Sequence, residues 1–177
     1  MKKIAIVGSK KSGKTSIAEI VISHFAKRGL TIGAIKHIHH ADFTVDREGS
    51  DTWRHRRAGA KFVAYFSPSE AGLMLKVGKE PDGLEEVLRL VDWLKVDLLV
   101  IEGFHRFVAK RSDVGKVIAF KDLEDLEERV KGTEQPIIAL CTFNESLAQR
   151  EGASGFLVLP RDQDKLIKAL EAFMESP

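Results

Sequence analysis

The residue types and spacing best suited to chemistry stand near the amino terminus, where residues 8–15 read GSKKSGKT. This stretch fits the pattern G-x-x-x-x-G-K-[ST]. Glycines let the main chain curl tightly, so that successive N–H groups can point inward at phosphate oxygens. Lys14 would reach the outer phosphates as a point charge, and the Thr15 hydroxyl would ligate Mg²⁺. We therefore predict a phosphate-binding set made of Gly8, Ser9, Lys10, Lys11, Ser12, Gly13, Lys14, Thr15 and Ser16.

A second candidate for chemistry is the stretch of residues 97–103, which reads DLLVIEG. Apolar residues that end in an acid resemble the strand whose carboxylate meets the Mg²⁺ shell in phosphate-transfer proteins. Asp97 begins this strand, whereas Glu102 closes it at the carboxyl end, where ligands bind in parallel sheets. We therefore predict Glu102 as the metal-associated and catalytic acid, with Gly103 giving the backbone room near the terminal phosphate.

A third candidate is the polar segment of residues 36–51, which begins where a strand should end, on the rim that carries the phosphate loop. We expect Lys36 and His37 to line that rim and the segment to act as a switch or lid. His37, His39 and His40 invite a metal interpretation, because imidazole is a common ligand. No cysteine accompanies them and no pair has i, i+4 spacing, so polar loop or phosphate contacts are favoured over a transition-metal site.

Asp46 is the carboxylate of this segment with two open interpretations. It could hold Mg²⁺ through water or orient an attacking water. It could equally form a turn beside Arg47 and Gly49. Further on, Ser50 is predicted to cap a helix over residues 51–58 that Gly59 ends. On that helix we expect Arg54 and Arg57 to share a face and Arg56 to point elsewhere.

The elements around the phosphate loop predict a mostly parallel α/β sheet. Residues 2–7 form an apolar run that suits a buried strand, and helical spacing continues after the loop to Arg28, with Gly29 as a C-terminal cap. A second strand over residues 31–37 completes a βαβ unit. This context is typical of P-loop nucleotide-binding proteins, which have three layers with helices on both faces of the sheet. Further strands are predicted at residues 97–103, 117–120, 136–141 and 156–159, with helices over residues 84–94 and 166–174.

Composition also predicts the structure of several other segments. Residues 62–66 and 71–76 predict a hairpin whose antiparallel strands join the parallel sheet. Residues 104–112 predict a basic loop on the phosphate rim, carrying His105, Arg106, Lys110 and Arg111. Residues 125–131 predict an exposed helical turn. Residues 142–145 occupy the place of base recognition in GTPases, but the Asn-Lys-x-Asp pattern is incomplete there, so guanine specificity does not follow from them.

Composition limits the class of protein. A chain of 177 residues is predicted to form one domain over 1–177, and 44% apolar with 31% charged residues is typical of soluble globular proteins. A net charge of +2 gives no argument for a nucleic-acid partner. Cys141 is the only cysteine, so no internal disulfide can form and a cytoplasmic location is expected. No apolar stretch is long enough for a membrane span.

Together these blocks resemble the MobB family of molybdopterin-guanine dinucleotide biosynthesis proteins. The resemblance rests on GSKKSGKT at 8–15, IKHIHH at 35–40, VDREGSD at 45–51, RAGA at 57–60 and LVIEGF at 99–104. It implies a GTP-binding accessory protein with Mg²⁺ and weak GTPase activity, which assists a guanylyltransferase in joining GMP to molybdopterin. The implied partners are this guanylyltransferase and molybdopterin-loaded proteins, and such a protein tends to be a homodimer. It also implies that one functional loop carries Lys36, His37, Asp46, Ser50 and Asp51.

Two other functions compete with this one. A small-molecule kinase that uses ATP shares the opening βαβ unit, and Arg54, Arg57, Arg106 and Arg111 could neutralise the transferred phosphoryl group. No arginine-rich lid helix is evident, however. A third hypothesis is that basic rim residues, Arg54 among them, bind the phosphate of the pterin cofactor directly.

Overall fold

A computed structural model describes residues 1–40, 42–79, 81–149 and 155–176 of the chain. The chain divides into two compact units. The first comprises Met1–His37 and Gly83–Pro177, and the second is the single segment Ile38–Asp82. The prediction of one domain stays a prediction.

The first unit contains a six-stranded parallel sheet in the order β2-β5-β1-β6-β7-β8. Its strands are β1 (Lys2–Gly8), β2 (Ile32–Lys36), β5 (Leu98–Glu102), β6 (Gly115–Ala119), β7 (Ile137–Thr142) and β8 (Leu157–Val158). Its helices are α1 (Lys14–Lys27), α3 (Leu84–Arg89), α4 (His105–Val108), α5 (Leu123–Val130) and α6 (Gln163–Glu175). The second unit contains α2 (Asp51–Arg57) with strands β3 (Phe62–Phe66) and β4 (Ala71–Leu75).

Helices cover both faces of the parallel sheet, as the apolar runs of its strands predict. Ile4 and Ile6 of β1 belong to the apolar cluster that includes α1 and α6. Ala5 and Val7, which alternate with them, belong to the cluster that includes α3 and α4. All four are fully buried, so β1 is the central strand that fixes the start of the phosphate loop.

The ends of α1 agree with the sequence prediction. The N–H of Gly29 donates to the carbonyl of Ala26, and the N–H of Leu30 donates to the carbonyl of Phe25. These two bonds satisfy the last carbonyls of the helix, and Gly29 takes the positive φ of 86° that this cap requires. The chain then returns directly into β2, completing the predicted βαβ unit.

The hairpin prediction is confirmed, but the expectation that its strands join the parallel sheet is wrong. Strands β3 and β4 pair antiparallel with each other in a separate two-stranded sheet, with Phe62 opposite Leu75 and Phe66 opposite Ala71. Alternation along a strand specifies which face is apolar and not which strand lies beside it.

Two other boundaries also differ from the predictions. The helix expected over residues 84–94 ends at Arg89, because the N–H groups of Leu90 and Val91 bond three residues back rather than four. A short 3₁₀ turn, Asp92–Leu94, follows it. The basic loop predicted over residues 104–112 contains the one-turn helix α4, which begins after Phe104 at a positive φ of 57°. No helix in the described part of the chain is long and apolar enough to cross a bilayer.

Candidate functional site

The loop between β1 and α1 has the curled backbone that its glycines predict. Gly8 has a φ of 155°, Lys11 of 64° and Gly13 of 89°. A Cβ at Gly8 would lie 2.1 Å from the carbonyl oxygen of Ala119 on β6, so glycine is required there by packing as well as by conformation. Helix α1 begins at Lys14, directly after this curl, so the N–H groups of its first turn can donate to phosphate oxygens.

Side chains inside the loop hold its shape. The Ser12 hydroxyl, which is buried, donates to the Ser9 carbonyl at 3.0 Å, and the Lys14 ammonium donates to the same carbonyl at 2.5 Å. Burial lowers the pKa of Lys14, and the nearby Glu102 carboxylate opposes that shift. An ammonium that is partly removed from water gains from an anionic partner. Lys14 is therefore placed to exchange its carbonyl partner for a phosphate oxygen.

An open cavity of about 390 Å³ follows the loop. It is lined by seven consecutive residues of the predicted phosphate set together with one acid: Lys10, Lys11, Ser12, Gly13, Lys14, Thr15, Ser16 and Glu102. The structure thus brings the two informative sequence stretches together, as predicted.

Glu102 lies at the carboxyl end of β5 and contacts the start of α1. The Thr15 hydroxyl donates to Glu102 Oε1 at 2.9 Å. The Lys36 ammonium, at the end of β2, lies 2.9 Å and 3.0 Å from the two carboxylate oxygens and 3.2 Å from Thr15 Oγ1. Parallel pairing explains this arrangement, because Lys36 is the register partner of Glu102, which pairs with Ile6 of β1.

This cluster fits Mg²⁺. A hydroxyl and a carboxylate are the hard oxygen donors that this ion prefers. The Lys36 ammonium lies within hydrogen-bond distance of both Thr15 Oγ1 and the Glu102 carboxylate, so these oxygens are placed to contact one positive charge. Glu102 is largely buried, with 13% of its side chain exposed, whereas half of the Lys36 side chain is exposed.

Gly103 and His37 pack against each other beside this cluster. The His37 N–H donates to the Glu102 carbonyl at 2.9 Å, and the His37 ring stacks on Phe104 with 4.5 Å between centroids. Gly103 has a φ of 87°, and a Cβ there would lie 3.2 Å from the His37 Cβ. Both residues therefore shape the turn that follows Glu102.

Asp125 is a site residue that the sequence prediction missed. The charged sequence of residues 125–131 predicts an exposed helical turn, but Asp125 is buried, with 8% of the residue exposed. Its Oδ2 accepts the Ser9 hydroxyl at 2.6 Å and the Lys121 N–H at 3.1 Å. The sequence signal was present in the spacing Asp122-x-x-Asp125, because the Asp122 side chain caps α5 by accepting from the Asp125 N–H.

A second open cavity, of about 290 Å³, adjoins the loop on the side of β7. Phe143 and Asn144 line it together with Lys121 and Gly13. A Cβ at Gly13 would lie 2.4 Å from the Phe143 ring, so this aromatic side chain lies against the loop. The Asn144 amide donates to the Lys121 carbonyl at 3.1 Å and its oxygen accepts from Ser146, so it braces the two loops that frame this cavity.

The remaining predicted residues of the functional loop lie in the second unit. Asp46 accepts from Thr52 at 2.8 Å, from Ser50 at 3.1 Å and from Arg56 at 3.4 Å, and 3% of its side chain is exposed. Burial raises its pKa, but these three donors outweigh burial and lower it overall. This geometry supports the turn interpretation of Asp46, and its catalytic role stays a prediction.

The helix that follows Asp46 starts as predicted, but its arginines are arranged differently. Ser50 caps α2 by accepting from the Trp53 N–H at 3.1 Å. Arg56 and Arg57 line one cavity with Trp53, so the expectation that Arg56 points away from Arg57 is wrong. Spacings of three and four residues from Trp53 place both on its face. Arg54 is exposed and lies 3.6 Å from the exposed Asp51 carboxylate.

The expectation that residues 104–112 form a basic rim is wrong for Arg111. Arg111 bonds Asp113 and Glu85, and Asp113 accepts from Lys3 at 2.9 Å. Because Lys3 is the second residue of β1, Arg111 lies at the edge of the sheet opposite the phosphate loop. His105 instead pairs with the Thr133 hydroxyl at 2.7 Å, and burial lowers its pKa.

No cluster of three or more histidine, cysteine or acidic residues that could hold a metal ion occurs in residues 1–40, 42–79, 81–149 and 155–176. His37, His39 and His40 belong to no such group there, and the preference for polar loop or phosphate contacts stays a prediction. Ala41, which follows them, lies outside the described residues.

Comparison with known proteins gives a consistent result. The family model described as molybdopterin guanine dinucleotide synthesis protein B matches residues 3–142. The molybdopterin-guanine dinucleotide biosynthesis adapter protein of Escherichia coli K12 is 33% identical over 112 residues, which are 63% of this chain and 61% of that protein. A probable adapter protein of the same name from Bacillus subtilis 168 is 31% identical over 125 residues, which are 70% of this chain and 68% of that protein. The chain thus spans about three fifths of the length of the E. coli relative.

Solved structures show the same fold. The crystal structure of a MobB protein homolog from Bacillus stearothermophilus matches with a TM-score of 0.71 at 21% identity, covering 99% of this chain and 100% of that chain. The crystal structure of Bacillus subtilis MobB matches with a TM-score of 0.68 at 24% identity, covering 96% and 98% of the two chains.

Proposed function

The chain belongs to the molybdopterin guanine dinucleotide synthesis protein B (MobB) family, and from that premise we propose that it is a GTP-binding adapter of molybdenum cofactor biosynthesis. Its relatives of known name are adapter proteins of molybdopterin-guanine dinucleotide biosynthesis. We propose that it binds GTP with Mg²⁺ and assists a guanylyltransferase that attaches GMP to molybdopterin. Its own hydrolysis of GTP is weak.

One observation carries the nucleotide part of this proposal. The curled main chain of the loop, the start of α1 and the Lys14 ammonium all border one cavity of about 390 Å³. N–H groups at a helix N-terminus and an ammonium together favour a polyphosphate. The preference for guanine is proposed from the family, since the incomplete base-recognition pattern after β7 does not supply it.

Each residue then has a definite role. The main chain of residues 8–16 and Lys14 hold the phosphates, while Thr15 and Glu102 hold the metal side of the site. Mg²⁺ would neutralise charge on the outer phosphates. Lys36 leaves Glu102 when a cation takes its place, which couples nucleotide loading to the end of β2 and to His37, the next residue.

Isothermal titration with GTP, GDP and ATP in the presence of Mg²⁺ tests this proposal. We expect the affinity for GTP to be well above that for ATP. Lys14→Ala should lose most of the affinity for the triphosphate, by a factor of about 100 or less, because one charge-assisted contact is removed. Lys27→Ala removes the same charge at the far, exposed end of α1 and serves as the matched control. Equal affinity for GTP and ATP would contradict the adapter proposal, and phosphorylation of an added acceptor by ATP would favour the kinase.

We also propose that two copies of the chain associate through the hairpin. The outward positions of β3 and β4 are all apolar and exposed: Phe62, Ala64, Phe66, Ala71, Leu73 and Leu75. A two-stranded sheet is marginally stable alone and gains from a cover on this face. A second copy presents the same apolar face at the same concentration, and a two-fold axis lets each cover the other.

Sedimentation equilibrium of the full chain tests this association. Leu73→Glu places a charge at the centre of the face and is expected to give monomers. Val45→Glu, at a position with 79% exposure outside the hairpin, is the control that should remain associated. A wild-type chain that sediments as a monomer would refute the proposal. The buried, unpaired Cys141 suits a reducing compartment, and we propose the cytoplasm as the location.

A further inference from the structure

The second unit contains a cavity of its own, of about 300 Å³, which the nucleotide proposal does not use. Its lining combines two aromatic rings, three cations and one carboxylate, which are Phe43, Trp53, Arg56, Arg57, Lys76 and Asp42. This volume is at the lower end of the range for small-molecule sites, which is about 300–1,000 Å³. The mixture of rings and cations is unlike a solvated helix face, which would lack the aromatic surface.

The aromatic part of the cavity offers flat apolar surface. Phe43 is 54% exposed although it is a large apolar side chain. Trp53 stands on the first turn of α2, and the Arg57 guanidinium lies 5.5 Å from its ring centroid. Planar rings stack favourably on such surfaces, and a guanidinium over an indole keeps its N–H groups directed outward along its own plane.

The cations differ in how they are used. Arg56 is held in place by Thr44 at 3.0 Å and by the buried Asp46 carboxylate at 3.4 Å. Arg57 and Lys76, in contrast, have no carboxylate partner within the described ranges of the chain. Cations on a concave surface without acidic partners attract anions, and phosphate groups above all.

The Asp42 carboxylate adds a third kind of contact. A carboxylate accepts two parallel N–H bonds, and a 2-amino-4-oxo ring such as that of a pterin or of guanine presents that pair of donors on one edge. Stacking, phosphate attraction and N–H acceptance are thus available within one small cavity.

We propose that this cavity binds a phosphomonoester attached to a planar 2-amino-4-oxo heterocycle. Arg57 and Lys76 hold the phosphate, Trp53 and Phe43 contact the ring faces, and Asp42 accepts from the N–H edge. Pterin and guanine share this chemistry, and the choice of a pterin as the physiological ring rests on the proposed function. The nucleotide loop belongs to the other unit, so the two sites can be tested separately.

Isothermal titration of the full chain carrying Lys14→Ala measures this site while the nucleotide loop is disabled. The probes are neopterin monophosphate, GMP and inorganic phosphate. We expect saturable binding of at least one of the two ring phosphomonoesters and much weaker binding of inorganic phosphate. The tighter of the two ring compounds identifies the source of the ligand.

Variants locate the binding. Lys76→Ala and Arg57→Ala should each weaken the ring phosphomonoester by about tenfold, which is the loss expected for one charge-assisted contact. Lys61→Ala removes an exposed lysine of the same unit that does not line the cavity, and it should bind as the parent does. In a Trp93→Phe background Trp53 is the only tryptophan, so its fluorescence should change on addition of the ring phosphomonoester that binds, with the same midpoint as the titration.

The outcomes separate this proposal from the previous one. Absence of binding by both ring compounds would overturn it, as would equal affinity for inorganic phosphate, because the ring would then contribute nothing. Unchanged binding in both Lys76→Ala and Arg57→Ala would also overturn it. None of these results depends on whether the wild-type chain binds GTP at its phosphate loop.

Discussion

Asp125 gives the sharpest test of how the phosphate loop is held. Its carboxylate reaches from α5 to the loop, where Oδ2 accepts the Ser9 hydroxyl, and the same oxygen accepts the Lys121 N–H just before α5. The Ser9 carbonyl in turn accepts the Lys14 ammonium. Replacing Asp125 with Ala therefore removes the bond that ties Ser9, and through it Lys14, to α5.

The expected magnitude follows from the bonds that are lost. Each hydrogen bond to a charged group contributes about 1.5–3 kcal/mol to stability. Asp125 makes two such bonds, one to the Ser9 hydroxyl, which can turn to water, and one to the Lys121 N–H, so we expect Asp125→Ala to lower the free energy of unfolding by about 3 kcal/mol. Because the loop of this variant must become ordered when the nucleotide binds, its affinity for GTP should fall about tenfold.

Urea unfolding and GTP titration on the same variants provide the measurement. Ser9→Ala removes one of the two bonds, and the Asp125→Ala and Ser9→Ala double variant completes a cycle whose coupling should be about 1 kcal/mol or more. Glu124→Ala, an exposed acid one residue earlier on α5, is the matched control. Weaker stability with unchanged GTP affinity in Asp125→Ala would refute the idea that this carboxylate positions the loop.

Three further predictions concern separate parts of the first unit. Lys36→Met removes the ammonium between Thr15 and Glu102. The Mg²⁺ concentration for half-maximal GTP binding should therefore fall about fivefold or less, as expected for a half-exposed ion pair. An unchanged Mg²⁺ requirement would contradict this. Burial raises the pKa of Cys141 to about 12, so a thiol reagent at pH 8 should label it only as the chain unfolds, and rapid labelling of the native protein would be inconsistent with that burial. Hydrogen bonds from Lys165, the Val158 N–H and Arg161 lower the pKa of Asp162 in the folded protein. Its contribution to the free energy of unfolding is therefore present above about pH 4, and it is lost as the pH falls towards the pKa of the folded state. Asp162→Asn should therefore flatten the acid limb of the stability curve, and an unaltered limb would rule this out.

The phosphate loop and its acid could be predicted because the information is local. Gly8 and Lys14 belong to one short motif between a strand and a helix, both of which their own residues specify. Glu102 required one further step, that parallel strands end at the same edge of a sheet. That step places Glu102 beside Thr15, as the structure confirms at 2.9 Å.

Contacts that depend on tertiary packing could not be predicted in this way. Asp125 and Ser9 are 116 positions apart, and only the packing of α5 against the sheet brings them together. The sequence predicts Arg111 at the wrong edge of the sheet, because its charge is compatible with both edges and its position depends on the bond to Asp113. Charge and exposure alone therefore do not locate a side chain on a fold.

The second unit is one uninterrupted stretch of the chain, and this has a consequence for inheritance. All six strands of the parallel sheet lie outside residues 38–82. Of the flanking residues, His37 stacks on Phe104, and Leu84 belongs to the apolar cluster that contains Phe104. A gene segment that encodes these residues can be exchanged or altered between lineages while the phosphate-binding loop of the first unit is retained. Chimaeras that carry this segment from a distant relative should keep the triphosphate affinity of the recipient and acquire the small-molecule preference of the donor.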